Sequence, residues 1–248
     1  MVVNSGLKEY SDKVAAQLKQ ISMTNIFEPA GLSMLITQVT SIQRDRSGIC
    51  KLFIPRETPL RILNPDHSII SAIEISCSIK GMLTSENIVE FEEYSIEVNF
   101  WSNKPEYCYR EGLDSEKIGE MVKFGLESGE KFKRIVLRFH FDMKDKRSNS
   151  PEPLFHFHVG GESIDRSCYM WMPDKLREPR IPYPPMDPFL VIDLILRNFC
   201  LRSSHKVIET PTWKEEIQRC HDIFQRCYDH FLLHESFFCR SNRRSTTL

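Results

Sequence analysis

A chain of 248 residues with 41% hydrophobic and 27% charged side chains has ordinary globular composition. It is long enough for one large domain, or one domain with a helical appendage. A formal net charge of -1 argues against wholesale nucleic-acid binding and leaves room only for a local basic patch. No stretch approaches the roughly 20 apolar residues that span a bilayer, and Met1 to Tyr10 lacks a basic region followed by an apolar run. A cytoplasmic protein without export signal or membrane contact is therefore expected.

Cys50, Cys77, Cys108, Cys168, Cys200, Cys220, Cys227 and Cys239 are scattered, with no Cys-x-x-Cys pair. That spacing argues against a zinc finger and against a disulfide framework, and for buried free thiols in a reducing compartment.

Residues 5–21 read as an amphipathic helix, with Ser5 as N-cap and Leu7, Val14, Leu18 and Ile21 on one stripe. Residues 31–43 and 49–54 carry aliphatic and β-branched runs, and Arg46-Ser47-Gly48 between them signals a hairpin. Pro55, Pro59 and Pro65 make 55–66 a loop or sheet edge. Strict alternation follows over 72–80 (Ile73, Ile75, Cys77, Ile79 inward) and 91–101 (Tyr94, Ile96, Val98, Phe100 inward). Such strands put one face in the core and turn the other toward water or a ligand. Residues 115–127, with Ser115 as cap and Ile118 and Val122 inward, read as a helix.

Most of the interpretable chemistry lies in 133–199. Residues 134–142 and 154–159 form two strands joined by a polar loop with Asn149, Ser150 and Pro151 as turn formers. Ile135, Leu137, Phe139 and Phe141 share a face with Phe155, Phe157 and Val159, so the opposite face carries Arg138, His140, Asp142, His156 and His158. In an antiparallel hairpin the numbers of facing residues sum to about 296 or 298, which sets His140 opposite His156 or His158. Three readings of that face stay open. It is a polar surface, either solvated or covered by the bridge that follows with its histidines bonded to backbone carbonyls, or His140, His156 and His158 hold a divalent metal with Asp142 as fourth ligand or as hydrogen-bond partner of an imidazole. In the third, His140 and Asp142 do acid–base work while Arg138 stabilises developing negative charge.

Gly160-Gly161 closes the second strand, and a bridge over 162–186 follows, with Trp171 and five prolines. Among them Trp171, Arg177, Arg180 and Tyr183 form the candidate partner-binding surface, or else a rigid strap packed across the sheet. Asp187 caps a helix whose first residue is Pro188. Phe189 to Ile192 and Leu194 to Leu196 make this helix apolar nearly all round and hence buried, with Asp193 and Arg197 as an i,i+4 pair.

Two resemblances attach to this region. His156-Phe-His158-Val-Gly-Gly-Glu162 resembles half of the first cupin motif, which would make His156, His158 and Glu162 metal ligands. Ser150 and Tyr169 stand where that motif has glycines, however, and no Pro-x-Gly-x-x-His segment follows. Leu154 to Gly161, Arg180-Ile181-Pro182, Pro185 and Ile195 to Phe199 resemble a group of uncharacterised bacterial proteins with a domain of unknown function. That likeness implies a bacterial cytosolic protein and carries no activity with it.

Beyond Arg202, Thr210 and Pro211 open a long helix with Trp213, Ile217, Phe224, Tyr228 and Phe231 inward. Cys227, His230 and His234 share one face of it, where packing and surface placement explain them better than chelation does. Arg240, Arg243 and Arg244 mark a basic tail expected to be disordered.

The expected protein is therefore α+β: a mainly antiparallel sheet packed by helices over 1–202, a helical arm over 203–239 and a tail over 240–248. The leading functional expectation is a bacterial cytosolic accessory or binding protein acting through a protein partner or a second copy of itself. The alternative is a metal- or histidine-dependent hydrolase, even a nuclease, using the histidine face of the 134–159 hairpin.

Overall fold

The computed structural model describes residues 3–41, 43–44, 49–55, 59–63, 70, 72–83, 89–102, 134–144, 153–159 and 181–241. The expected helix over 115–127, the Arg46 to Gly48 turn and the bridge as far as Arg180 lie outside those residues.

Helix α1 (Val3–Ser22) buries Val14, Leu18 and Ile21 completely, the i, i+4, i+7 stripe its sequence announces. It begins upstream of Ser5, which lies inside the helix and does not cap it. The chain departs most from expectation at α2 (Pro29–Thr40), where the strand-like run from residue 31 is helical. Leu32, Leu35 and Val39 recur at helical spacing and are buried, and Pro29 in the first turn has the fixed φ a helix start requires. The β-branched residues that imitate a strand are accommodated locally. Thr37, Thr40 and Ser41 donate their hydroxyls to the carbonyls of Ser33, Ile36 and Thr37 four residues back.

Only the end of that run pairs as sheet, as β1 (Gln43–Arg44) beside β2 (Cys50–Ile54). With β3 (Pro59–Arg61), β4 (Ala72–Leu83), β5 (Val89–Ser102), β6 (Arg134–Met143), β7 (Phe155–Val159) and β8 (Ile181–Pro182), they form an eight-stranded sheet paired antiparallel throughout. Its order is β1-β2-β4-β5-β6-β7-β8, and β3 lies on the β2 edge of β4. Pro55 and Pro59 break that edge in two, so that β2 pairs with Cys77 to Gly81 and β3 with Ala72 to Glu74. At the other edge β8 places Pro182 opposite His156, at a margin where its missing N–H leaves no ladder bond unmade. The bridge expected over 162–186 thus contributes a short edge strand at Ile181 and Pro182.

The core lies on the sheet face that carries Ile73, Ile75, Tyr94, Ile96, Val98, Phe100, Phe141 and Phe155. Asp187 caps α3 (Pro188–Phe199) by accepting the Leu190 N–H at 2.7 Å, and the helix buries everything from Pro188 to Asp193 together with Ile195 and Leu196. Phe199 reaches Phe100 at 4.4 Å between ring centroids. A short α4 (Leu201–Ile208) leads to α5 (Pro211–Ser241), whose start is fixed by Thr210 Oγ1 accepting the Trp213 N–H at 3.3 Å. Trp213 is fully buried against Phe189, and its Nε1 donates to Asp193 at 2.7 Å. Further along, Phe224 stacks on Phe91 of β5. Helical structure therefore resumes at Leu201 and runs to Ser241, taking in the first two residues of the expected tail. The architecture is α+β, with helices and a mainly antiparallel sheet.

The Tyr94 hydroxyl joins the two layers. It donates to the Met186 carbonyl at 2.9 Å and accepts the Met186 N–H at 2.7 Å, fixing the segment that enters α3. Burial, with the Cys77 thiol and Asp187 nearby, holds its phenol well above the ordinary range. Cys77 and Cys220 are buried free thiols, as expected, and burial raises both strongly; Cys50 and Cys200 are buried as well.

Candidate metal centre

The face opposite the core is assembled by register. The β6–β7 ladder pairs His140 with His158 and Asp142 with His156, numbers that sum to 298 in both cases. On the other side of β6, β5 sets Glu97 opposite His140, Asn99 opposite Arg138 and Ser95 opposite Asp142. Residues paired in this way carry Cβ atoms about 5 Å apart, so side chains from three strands converge.

This face is not a solvated one. Arg138, His156 and His158 are each only 3% exposed, Asn99 is 4% and Glu97 is 7%. Polar groups so placed need partners. Arg138 forms a buried ion pair with Glu97 at 3.2 Å. The Asn99 amide donates to Glu97 at 2.9 Å and to Glu74 at 3.3 Å. Because both neighbours are carboxylates that only accept, the amide orientation is fixed, with Oδ1 turned away from them.

The three histidines have separate settings. The His140 and His158 rings stack at 5.4 Å, and His158 meets His156 edge-on at 4.6 Å. His140 Nε2 lies 2.9 Å from Ser95 Oγ. His156 donates its Nδ1–H to the Pro153 carbonyl at 3.0 Å. Asp142 is anchored through Oδ1, which accepts the Met143 N–H at 2.8 Å.

One donor atom from each of His140, Asp142 and His158 lies within 4.8 Å of the other two. Ligands about 2.0–2.2 Å from one tetrahedral zinc ion lie about 3.3–3.6 Å apart, so the side chains must rotate inward for all three to hold it. Two expected ligands, His140 and His158, are brought together. Asp142 completes the trio, while His156 stands at its margin, tied to Pro153. Arg138, expected to face developing charge, is committed to Glu97.

Ser95, Glu97, Asn99 and Glu74 were not singled out from sequence. Their signal is the polar set of the alternating 72–80 and 91–101 strands; what sequence lacks is the register that lays it beside the histidines. Of the expected partner-binding residues, Trp171, Arg177 and Arg180 lie outside the described residues. Tyr183 is 36% exposed and packs its ring 5.7 Å from Phe141 and 5.8 Å from Phe157. It also borders a cavity of about 220 Å³ between α3 and α5, lined by Pro185, Leu190, Leu194, Ile217 and Phe224. The side chains of Cys227, His230 and His234 are outside the description.

No family model, curated protein or solved structure matches the chain. Among the described residues, no helix is long and apolar enough to cross a membrane.

Proposed function

We propose that this protein binds a divalent first-row metal ion through His140, Asp142 and His158 and uses it for hydrolysis. The convergence of those three donors within 4.8 Å carries the proposal. Two imidazoles and a carboxylate suit zinc, iron or manganese. Three protein ligands leave a coordination position for water, whose acidity a metal raises enough to yield a nucleophile near neutral pH.

Glu97, Glu74 and Asp142 share the face with Arg138. With a divalent ion bound, these carboxylates and the guanidinium leave the face close to neutral, so its charge selects no substrate class. The test is hydrolysis of ester, amide and phosphodiester probes by metal-loaded protein beside His158→Ala. Turnover of at least one of these probes that both the variant and a chelator abolish is expected. Equal turnover by wild type and variant contradicts the hydrolase reading.

A second reading, a bacterial cytosolic accessory protein working through a partner, is supported by the cavity beside Tyr183. The buried free thiols of Cys77 and Cys220 agree with a reducing compartment. Pull-down with wild type and Leu194→Asp tests it: a specific partner lost in the variant supports this reading, and retention of every partner contradicts it.

A further inference from the structure

We infer that Ser95 is a positioning residue of the metal centre: it holds His140 with Nε2 protonated and so makes Nδ1 the atom that binds the metal. This inference rests on the metal reading above and specifies which nitrogen is used and what selects it.

The register brings the two residues together. Ser95 pairs with Asp142 and Glu97 with His140, so Ser95 lies diagonally across from His140 on the same face. Its Oγ is 2.9 Å from His140 Nε2, a normal hydrogen-bond length. A metal bound at Nε2 would have to sit about 2.0–2.1 Å from that nitrogen, in the direction the hydroxyl occupies. With a metal on Nδ1 the neutral ring would keep its proton on Nε2 and donate it to the Ser95 hydroxyl, which can accept as well as donate. Ser78, opposite Ser95 on β4, does not compete for the hydroxyl in the described contacts, because its own Oγ donates to Glu93. Asp142 is fixed in a comparable way, held through Oδ1 by the Met143 amide. Hydrogen bonds of this kind to ligating histidines set the tautomer and ring orientation, and removing one typically lowers metal affinity about 10- to 100-fold.

The experiment is zinc titration of wild type, Ser95→Ala and Ser95→Thr against a competing chelator, together with ¹⁵N NMR of the imidazoles in the zinc-loaded wild type. Zinc on His140 Nδ1 with a proton kept on Nε2 is expected. Affinity should fall at least about 10-fold in Ser95→Ala and return toward wild type in Ser95→Thr, which keeps the hydroxyl. Zinc on Nε2 overturns the inference even if Ser95→Ala binds weakly, because a merely structural role for Ser95 would not choose between ring nitrogens. Equal zinc affinity in wild type and Ser95→Ala overturns it as well, while leaving the metal site standing. Failure of wild type itself to bind zinc removes the metal site and the inference together.

Discussion

His140 and His158 face each other across the β6–β7 ladder, their rings stacked at 5.4 Å on a face turned away from the apolar core. Two imidazoles so placed can offer a metal ion nitrogen ligands side by side. Asp142, two residues along β6, supplies the oxygen that turns the pair into a chelating set.

The buried ion pair beneath that set is a strong structural element. Arg138→Met leaves Glu97 buried without its countercharge and should cost about 3–5 kcal/mol in urea unfolding. Pairing it with Glu97→Gln should recover part of that loss, because no uncompensated charge remains. A double variant as unstable as the sum of the single ones would show that the two side chains act independently.

Alkaline stability provides a separate check on the layer packing. Cys77 and Cys220 have ordinary values of 9.0 and Tyr94 of 10.0, and all three are raised in the folded chain, chiefly by burial. Their folded forms keep a proton that the unfolded chain releases. Stability is therefore intact below about pH 9 and falls as pH climbs past the unfolded values, by up to about 1.4 kcal/mol per pH unit for each group. Cys77→Ala and Tyr94→Phe should each flatten that slope in urea titrations between pH 8 and 11. An unchanged slope in both would contradict the burial of these groups.

Tyr94→Phe should also destabilise the protein at neutral pH. It removes one donor and one acceptor from the Met186 backbone, and leaving such buried groups unmet costs roughly 1–3 kcal/mol each. Amide exchange at Met186 should quicken relative to the centre of β5. Unaltered exchange at Met186 would show that the hydroxyl does not hold this segment.

Much of this architecture is legible in the residues themselves. Alternation over 72–80, 91–101, 134–142 and 154–159 marks four strands, and their apolar faces form the core. Asp187-Pro188 and Thr210-Pro211 mark two helix starts because capping chemistry is local. At α2 the β-branched Ile36, Thr37, Val39 and Thr40 resemble a strand, while Leu32, Leu35 and Val39 carry the helical spacing that prevails. Number sums narrow the hairpin register to 296 or 298, so the His140–His158 pairing is one of the two arrangements the sequence leaves open. The contributions of Ser95, Glu97 and Asn99 were not. They depend on how β5 aligns with β6 across more than thirty intervening residues, and on a Phe100/Trp101 register shift that no local pattern encodes.

The most direct test of the central claim is metal content, measured by elemental analysis of untagged protein after reconstitution with zinc, iron or manganese and gel filtration. Wild type should retain about one equivalent of metal per chain, and His140→Ala, Asp142→Asn and His158→Ala should each lose it while staying folded by circular dichroism. Wild-type protein that emerges without metal, or variants that retain as much as wild type, would contradict a metal centre at these residues.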